Sequence, residues 1–239
     1  RGYGWSAAPH GDGGKALYTK RGMGEDIVAA MSALGFNRFA VIGHDRGARV
    51  AYRLALDHPG RVERLVLLDI LPTVSMWEGM NAARAMQVYH WTFLAQPEPI
   101  PENLLKADPV GWLDRTIASW SRAKNLDLFD PLAMRSYAES FSDPSRTHAA
   151  CEDYRAGATT DIEHDKADLA ANKRILCPVQ VLWGEAGIPA KGASPLDVWR
   201  QTFAPQAEGQ AIDSGHFLPE ENPLDTLAAL KPFLARKAS

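Results

Sequence analysis

Three consecutive stretches, Arg38-Phe39-Ala40-Val41-Ile42, Gly43-His44-Asp45-Arg46-Gly47 and Ala48-Arg49-Val50-Ala51-Tyr52-Arg53-Leu54-Ala55, leave this chain few folds to choose from. The first reads as an apolar strand, and the last carries small and apolar residues at helical spacing. The glycine-bracketed pentamer is therefore a strand-to-helix turn. Glycines at both ends allow a sharp turn and close packing, so the central side chain stands exposed above the sheet, the shape of a nucleophile elbow. That side chain is Asp45, where an esterase has serine. A carboxylate attacks alkyl carbon better than it attacks a carbonyl, and the ester it forms must then be hydrolysed. The plain alternative is an Asp that caps the following helix, which a helix N-terminus favours electrostatically.

Other segments alternate in the same way. Glu25 to Leu34 places Ile27, Val28, Met31 and Leu34 on one helical face, closed by Gly35, and Asp57-His58-Pro59-Gly60 stops the helix after the elbow. Leu65 to Ile70 is an apolar run closing on Asp69, as a buried parallel strand would be. Val179 to Trp183 repeats that pattern before Gly184-Glu185. A helix-like segment around Leu196 to Phe203 then leads to Gln210-Ala211-Ile212 and to Asp213-Ser214-Gly215-His216. Strands alternating with helices imply the α/β class, a parallel sheet flanked by helices. From about Pro72 to Asn172 the pattern changes to Trp, Met, Tyr and Ala at helical spacing, broken by Pro97, Pro99, Pro101, Pro109, Pro131 and Pro144. This stretch reads as a helical cap, residues 72–172, inserted between core segments 1–71 and 173–239. It would cover the carboxyl ends of the strands, where ligands of open α/β sheets sit.

Composition narrows the function classes. The 239 residues suffice for one core with an insertion, and 46% hydrophobic with 23% charged residues is ordinary for a globular protein. A formal net charge of −3 with no basic block points to neither nucleic acid nor a membrane surface. No apolar run approaches the ~20 residues a bilayer span needs. Cys151 and Cys177 form neither a disulfide framework nor a metal-ligand pattern, so no metal or cofactor and a reduced, cytoplasmic setting are expected.

The series Gly43-His44-Asp45-Arg46-Gly47, then Asp69, then His216 in a Ser-Gly-His-Phe loop resembles the α/β-hydrolase fold in its dehalogenase and epoxide-hydrolase branch. Asp-Arg-Gly-Ala-Arg at Asp45 to Arg49, with His90-Trp91 and Glu152-Asp153-Tyr154-Arg155, is similar to the fluoroacetate (haloacetate) dehalogenase family. The opening Arg1-Gly2-Tyr3-Gly4-Trp5-Ser6 resembles the interior of that family's Asp-x-Arg-Gly-x-Gly-x-Ser loop. The resemblance therefore implies an α/β-hydrolase fold with an inserted helical cap and with N-terminal strands, including a His-Gly-x-Pro turn, missing from this chain. The strand at 38–42 is then expected at a sheet edge.

The resemblance implies roles that the residues support. Asp45 would attack the halogen-bearing carbon, and His216 would activate the water that hydrolyses the ester. A surface loop histidine is the bland reading of His216. Asp69 would orient His216; Glu185, after the following strand, is the rival acid, but an Asp closing a buried strand needs a partner. Arg46 and Arg49, on nearly one helical face, would hold the substrate carboxylate, or would simply neutralise Asp45. Arg46 in a slot where the relatives usually carry Trp favours a haloacid. His90, Trp91 and Tyr154 would cradle the departing halide, or merely pack the cap; Trp120 reads more readily as structural than as pocket lining. The expected partners are a small haloacid and water, and a homodimer is allowed. Two other readings stand beside the haloacid hydrolase. One is an epoxide hydrolase, needing a second cap tyrosine beside Tyr154, either Tyr137 or Tyr89. The other is a non-catalytic fragment or binding module.

Overall fold

The computed structural model describes residues 1–13, 16–187 and 193–236. Strands β1 (Phe39–His44), β2 (Val62–Leu68), β3 (Val179–Gly184) and β4 (Glu208–Ile212) pair in that order, each with its neighbour in parallel. Parallel neighbours cannot be joined by a tight hairpin, so every link is a crossover. Helix α2 (Asp45–Asp57) joins β1 to β2, and Pro195–Gln201 lies between β3 and β4. The link from β2 to β3 contains eight helices, from Thr73–Glu78 to Thr160–Ala170, and no strand. Helix α1 (Lys20–Ala33) packs on α2.

The β2 strand explains why the sheet is covered on both sides. Leu65 and Leu67 join a cluster with Ala51, Tyr52, Leu54, Trp199 and Phe203, while Val66 and Leu68 join Leu182, Leu230 and Phe233. Alternate residues of one strand thus feed two cores, so both faces must be apolar, and the run reads as continuously hydrophobic. Leu67→Ala would remove a fully buried side chain and cost about 2–5 kcal/mol. β1, by contrast, lies at one edge of the described sheet, and its Ile42 is 47% exposed. That is where the strand at 38–42 was expected.

Some expected boundaries move. The helix anticipated at Glu25–Leu34 begins instead at Lys20 and ends at Ala33. Thr19 is its N-cap, accepting from the Gly22 N–H, and a buried lysine follows. Its apolar face is also narrower: Val28 and Met31 pack on the core, whereas Ile27 and Leu34 are exposed. β2 spans 62–68 rather than 65–70, because Asp69 turns the chain with φ +53°. The helix expected over 196–203 runs Pro195–Gln201.

Polar contacts tie the helical segment down onto the sheet-flanking helices. The Tyr52 hydroxyl donates to Asp165 at 2.8 Å and Arg53 Nη2 donates to Asp168 at 2.5 Å. Lys20 Nζ meets Asp153 and, at 3.2 Å, Asp161. No helix among the described residues is long and apolar enough to cross a membrane.

Candidate active site

At the elbow, Gly43 carries the steric constraint. A Cβ there would stand 2.5 Å from the Ala48 Cα, so any side chain would push α2 off the strand. Gly47 meets no such wall outside its own helix, so the second glycine of the pentamer is not demanded by packing. Asp45 sits at φ +45°, a left-handed conformation that Asp tolerates better than most residues. Among the described residues its carboxylate makes no hydrogen bond to a helix N–H, which removes the capping alternative.

The acid and the histidine converge on it. His216 Nδ1 lies 2.6 Å from Asp69 Oδ2, and His216 Nε2 lies 3.7 Å from Asp45 Oδ2, an ion-pair separation longer than a hydrogen bond. Asp69 is itself held by the Gly184 N–H at 2.9 Å. Glu185, the rival acid, is exposed and pairs with Arg122 at 3.6 Å, outside this cluster. The His216 loop is fixed by contacts that sequence reading missed. Its N–H donates to the Trp120 carbonyl, its own carbonyl faces His44 Nε2 at 2.8 Å, and the Glu221 carboxylate accepts the Gly215 and Phe217 N–H groups. Gly184 has no room for a side chain because the Gly215 carbonyl occupies that space.

Burial alone would lower the pKa of His216. The Asp45 and Asp69 carboxylates at its two nitrogens outweigh burial and carry it up to about 10. Burial would likewise raise Asp45, but His216, His44 and Arg46 hold it well below the ordinary carboxylate value. Burial, then the nearby His216, lowers His44 to about 4, so His44 is a neutral neighbour.

Arg46 and Arg49 are both buried, but their surroundings differ. Arg46 Nε donates to Asp153 Oδ2 at 2.5 Å and Nη2 to the Asp153 carbonyl at 2.8 Å, with the guanidinium 4.1 Å above the Tyr154 ring. Arg49 reaches only neutral acceptors, the Leu71 carbonyl and Thr73 Oγ1, each at 3.1 Å. Arg46 Nη1 and Arg49 Nε have no hydrogen-bond partner. Neither arginine forms an ion pair with Asp45 among the described residues; Arg46 has Asp153 as its direct counter-ion and acts on Asp45 only from a distance.

His90, Trp91 and Tyr154 come from helices Tyr89–Leu94 and Pro144–Ala158 and cluster as expected, with His90 and Trp91 ring centres 5.7 and 6.2 Å from Tyr154. Burial lowers His90 to about 3, so it is a neutral ring, and its Nδ1 is unpartnered. Trp120, the weaker pocket candidate, lies beside this cluster. It stands 4.5 Å from His90 and 5.5 Å from His216 and lines two cavities. One, of about 20 Å³, lies among Asp45, Arg49, His90, Trp91 and His216, room for only a molecule of a few atoms. The other, of about 480 Å³, is apolar and reaches Asp45 past Arg46, Tyr154 and Phe217. Tyr137 lines the larger cavity together with Tyr154, but its hydroxyl donates to Glu220 at 2.6 Å; Tyr89 is half exposed, in a separate cavity.

A possible metal cluster lies elsewhere, where His10, Glu98 and His148 bring donor atoms within 4.8 Å. His148 Nε2 already accepts the Gly11 N–H, which places its proton on Nδ1, toward Glu102 at 3.2 Å. That ring is committed to hydrogen bonds and needs no ion.

Comparison with known proteins agrees with this geometry. The family described as having the alpha/beta hydrolase fold matches residues 1–223. A fluoroacetate dehalogenase from a Burkholderia species is 39% identical over 235 residues, spanning 98% of this chain and 76% of that protein. A soluble epoxide hydrolase from a Corynebacterium species is 30% identical, over 93% of this chain and 77% of that one. Among solved structures, a candidate α/β hydrolase from a Nostoc species superposes with a TM-score of 0.95 at 46% identity, covering 99% of this chain and 80% of its own.

Proposed function

The chain belongs to the α/β-hydrolase superfamily, in its dehalogenase family, and from that premise we propose that this hydrolase cleaves the carbon–halogen bond of a short 2-halo carboxylic acid, fluoroacetate or another haloacetate. Asp45 attacks the carbon bearing the halogen, halide leaves with the bonding pair, and an ester of Asp45 with glycolate remains. His216 then takes a proton from water as that water adds to the ester carbonyl of Asp45. Collapse expels the glycolate oxygen, which takes the proton back from His216, and the Asp45 carboxyl, now carrying one oxygen from water, loses the remaining water proton to solvent.

The titration of His216 suits this order. In the resting enzyme its ring is charged and paired between two carboxylates. Esterification removes the charge of Asp45, one of the two causes of that high value, so the ring can lose its Nε2 proton to solvent and serve as a base in the second step. Asp69 keeps the proton on Nδ1, leaving Nε2 to face the ester. In the first step, Trp91 Nε1–H, the Tyr154 hydroxyl and the neutral His90 ring are donors for the departing halide, and fluoride, a poor leaving group, needs them most.

The observation that carries the reading is the pair of buried arginines with uncommitted N–H groups beside an elbow carboxylate. A substrate anion would be repelled by Asp45 unless it met such groups. The epoxide-hydrolase reading is weaker because, of the two cap tyrosines that line the cavity reaching Asp45, Tyr137 already donates its hydroxyl to Glu220 at 2.6 Å. Arg46→Ala and Arg49→Ala, each assayed on haloacetate and haloacetamide, test the proposal. Loss of a charge-assisted pair costs ~2–5 kcal/mol, tens to thousands of fold in kcat/KM, for the acid, and much less for the neutral amide. Equal losses on both substrates, or turnover of an epoxide in preference to either, would rule the haloacid assignment out.

A further inference from the structure

Asp153 has no part in the chemistry just described, yet it is completely buried and touches three donors. Its Oδ2 accepts from Arg46 Nε at 2.5 Å and from the Tyr3 hydroxyl at 2.7 Å, and its Oδ1 meets Lys20 Nζ. A buried carboxylate with that many donors is firmly ionised: burial alone would raise it, but Arg46 and Lys20 bring it to about 2. Lys20 does not need Asp153 for itself, because Asp161 pairs with the Lys20 ammonium at 3.2 Å and accepts its backbone N–H at 2.9 Å. The four groups Lys20, Arg46, Asp153 and Asp161 therefore form a set of zero net charge. Arg49 stands outside that set, with only neutral acceptors.

We propose that Asp153 is a positioning residue that acts through Arg46, fixing its guanidinium by Nε and Nη2 so that Nη1 is presented to the substrate carboxylate, while Arg49 supplies the net charge that draws the anion in. The inference rests on the haloacid reading above for the identity of the substrate. It also assigns the two arginines different tasks. The Arg46 charge is matched inside the protein, so Arg46 contributes geometry. The Arg49 charge has no counter-ion among its hydrogen-bond partners, and burial together with Arg46 lowers its pKa, so an incoming carboxylate relieves an existing cost. The plane of Tyr154, stacked under Arg46, and Gly157, whose Cβ would stand 3.0 Å from Arg46 Nη2, leave the guanidinium little freedom to find another pose.

Glycolate, the product anion, is the probe, with affinity read by calorimetry so that no turnover is required. Asp153→Asn is expected to weaken glycolate binding about tenfold and to raise KM for haloacetate by a similar factor, with kcat/KM for haloacetamide changed less than threefold. Asp153→Asn combined with Arg46→Ala should be no worse than Arg46→Ala alone, since the one residue acts through the other. Because Asp153→Asn leaves two buried cations facing one anion, Lys20→Met with Asp153→Asn is the companion variant, which restores neutrality and should show the same weakened binding. Glycolate affinity equal to wild type, tighter binding from the added positive charge, additive losses in the double variant, or no glycolate binding by wild type would each overturn the assignment. Absence of halide release by wild type on any haloacetate would instead sink the haloacid reading, whatever the glycolate result.

Discussion

Asp45, Asp69 and His216 stand at or just beyond the carboxyl ends of β1, β2 and β4, whereas His90, Trp91 and Tyr154 reach the same space from two helices of the 73–170 segment. The floor of the site is set by backbone. Strand register fixes where β1 and β2 end, and the left-handed turns at Asp45 and Asp69 aim the two carboxylates. The roof is set by side-chain packing alone, through ring contacts at 4.5 to 6.2 Å and through Arg46 clasped by Asp153. Floor positions are therefore expected to tolerate substitution poorly, and roof positions to tune rate and specificity by degree.

The largest effect should come from the floor. Asp45→Asn removes the nucleophile and should lower halide release by at least about 10⁴-fold. A single turnover of wild type in labelled water should leave the label on Asp45, and label found only in product would mean direct attack by water. His216→Asn separates the two steps, with an expected burst of about one halide per enzyme followed by a stalled ester. Steady turnover, or no burst at all, would remove the distinction between the steps.

The roof should give graded losses. Tyr154→Phe is expected to slow fluoroacetate turnover by about 10²-fold, the scale of one lost donor to a developing anion. Chloroacetate, with a better leaving group, should suffer less, and an equal loss on both halides would assign Tyr154 to packing. The smallest effect is thermodynamic. His216 is raised to about 10 by its carboxylates, so its pairing stabilises the fold fully below the unfolded value near 6.5 and fades as pH climbs toward 10. The Tm gap between wild type and Asp45→Asn, a few degrees near pH 6, should therefore close over that range. A gap that does not change with pH would show that Asp45 and His216 are not a folded-state ion pair.

The same division decides what can be read from residues alone. The elbow, Asp69 and His216 are legible because each closes or follows an apolar strand-like run, and local patterning reports local geometry. The aromatic trio of the roof was reached through family resemblance, since its helical spacing equally suits a packed core. Asp153 as the partner of Arg46, Lys20 at the head of α1, and Glu221 under the histidine loop left no local signal. Their partners are far away in the chain, as with Arg46 and Asp153, 107 positions apart. The misplaced start of α1 has the same origin, because a buried lysine looks like a solvent-facing one until its carboxylates are found.

The ionic ties between the helical segment and the sheet-flanking helices carry a consequence for how the molecule comes apart. Lys20 with Asp153 and Asp161, Arg46 with Asp153, and Arg53 with Asp168 all cross that boundary, and each cation is nearly sealed from water. Lifting the segment would separate these pairs, although Arg53 keeps Asp57 on its own helix at 3.6 Å. A change that removes one partner while the other stays buried costs about 3–5 kcal/mol, so the segment and the helices beneath it must carry matched charges to close on one another. Scanning calorimetry should show a single transition. A chimaera that takes its helical segment from a distant relative should lose that cooperativity unless the acidic partners at 153, 161 and 168 travel with the graft.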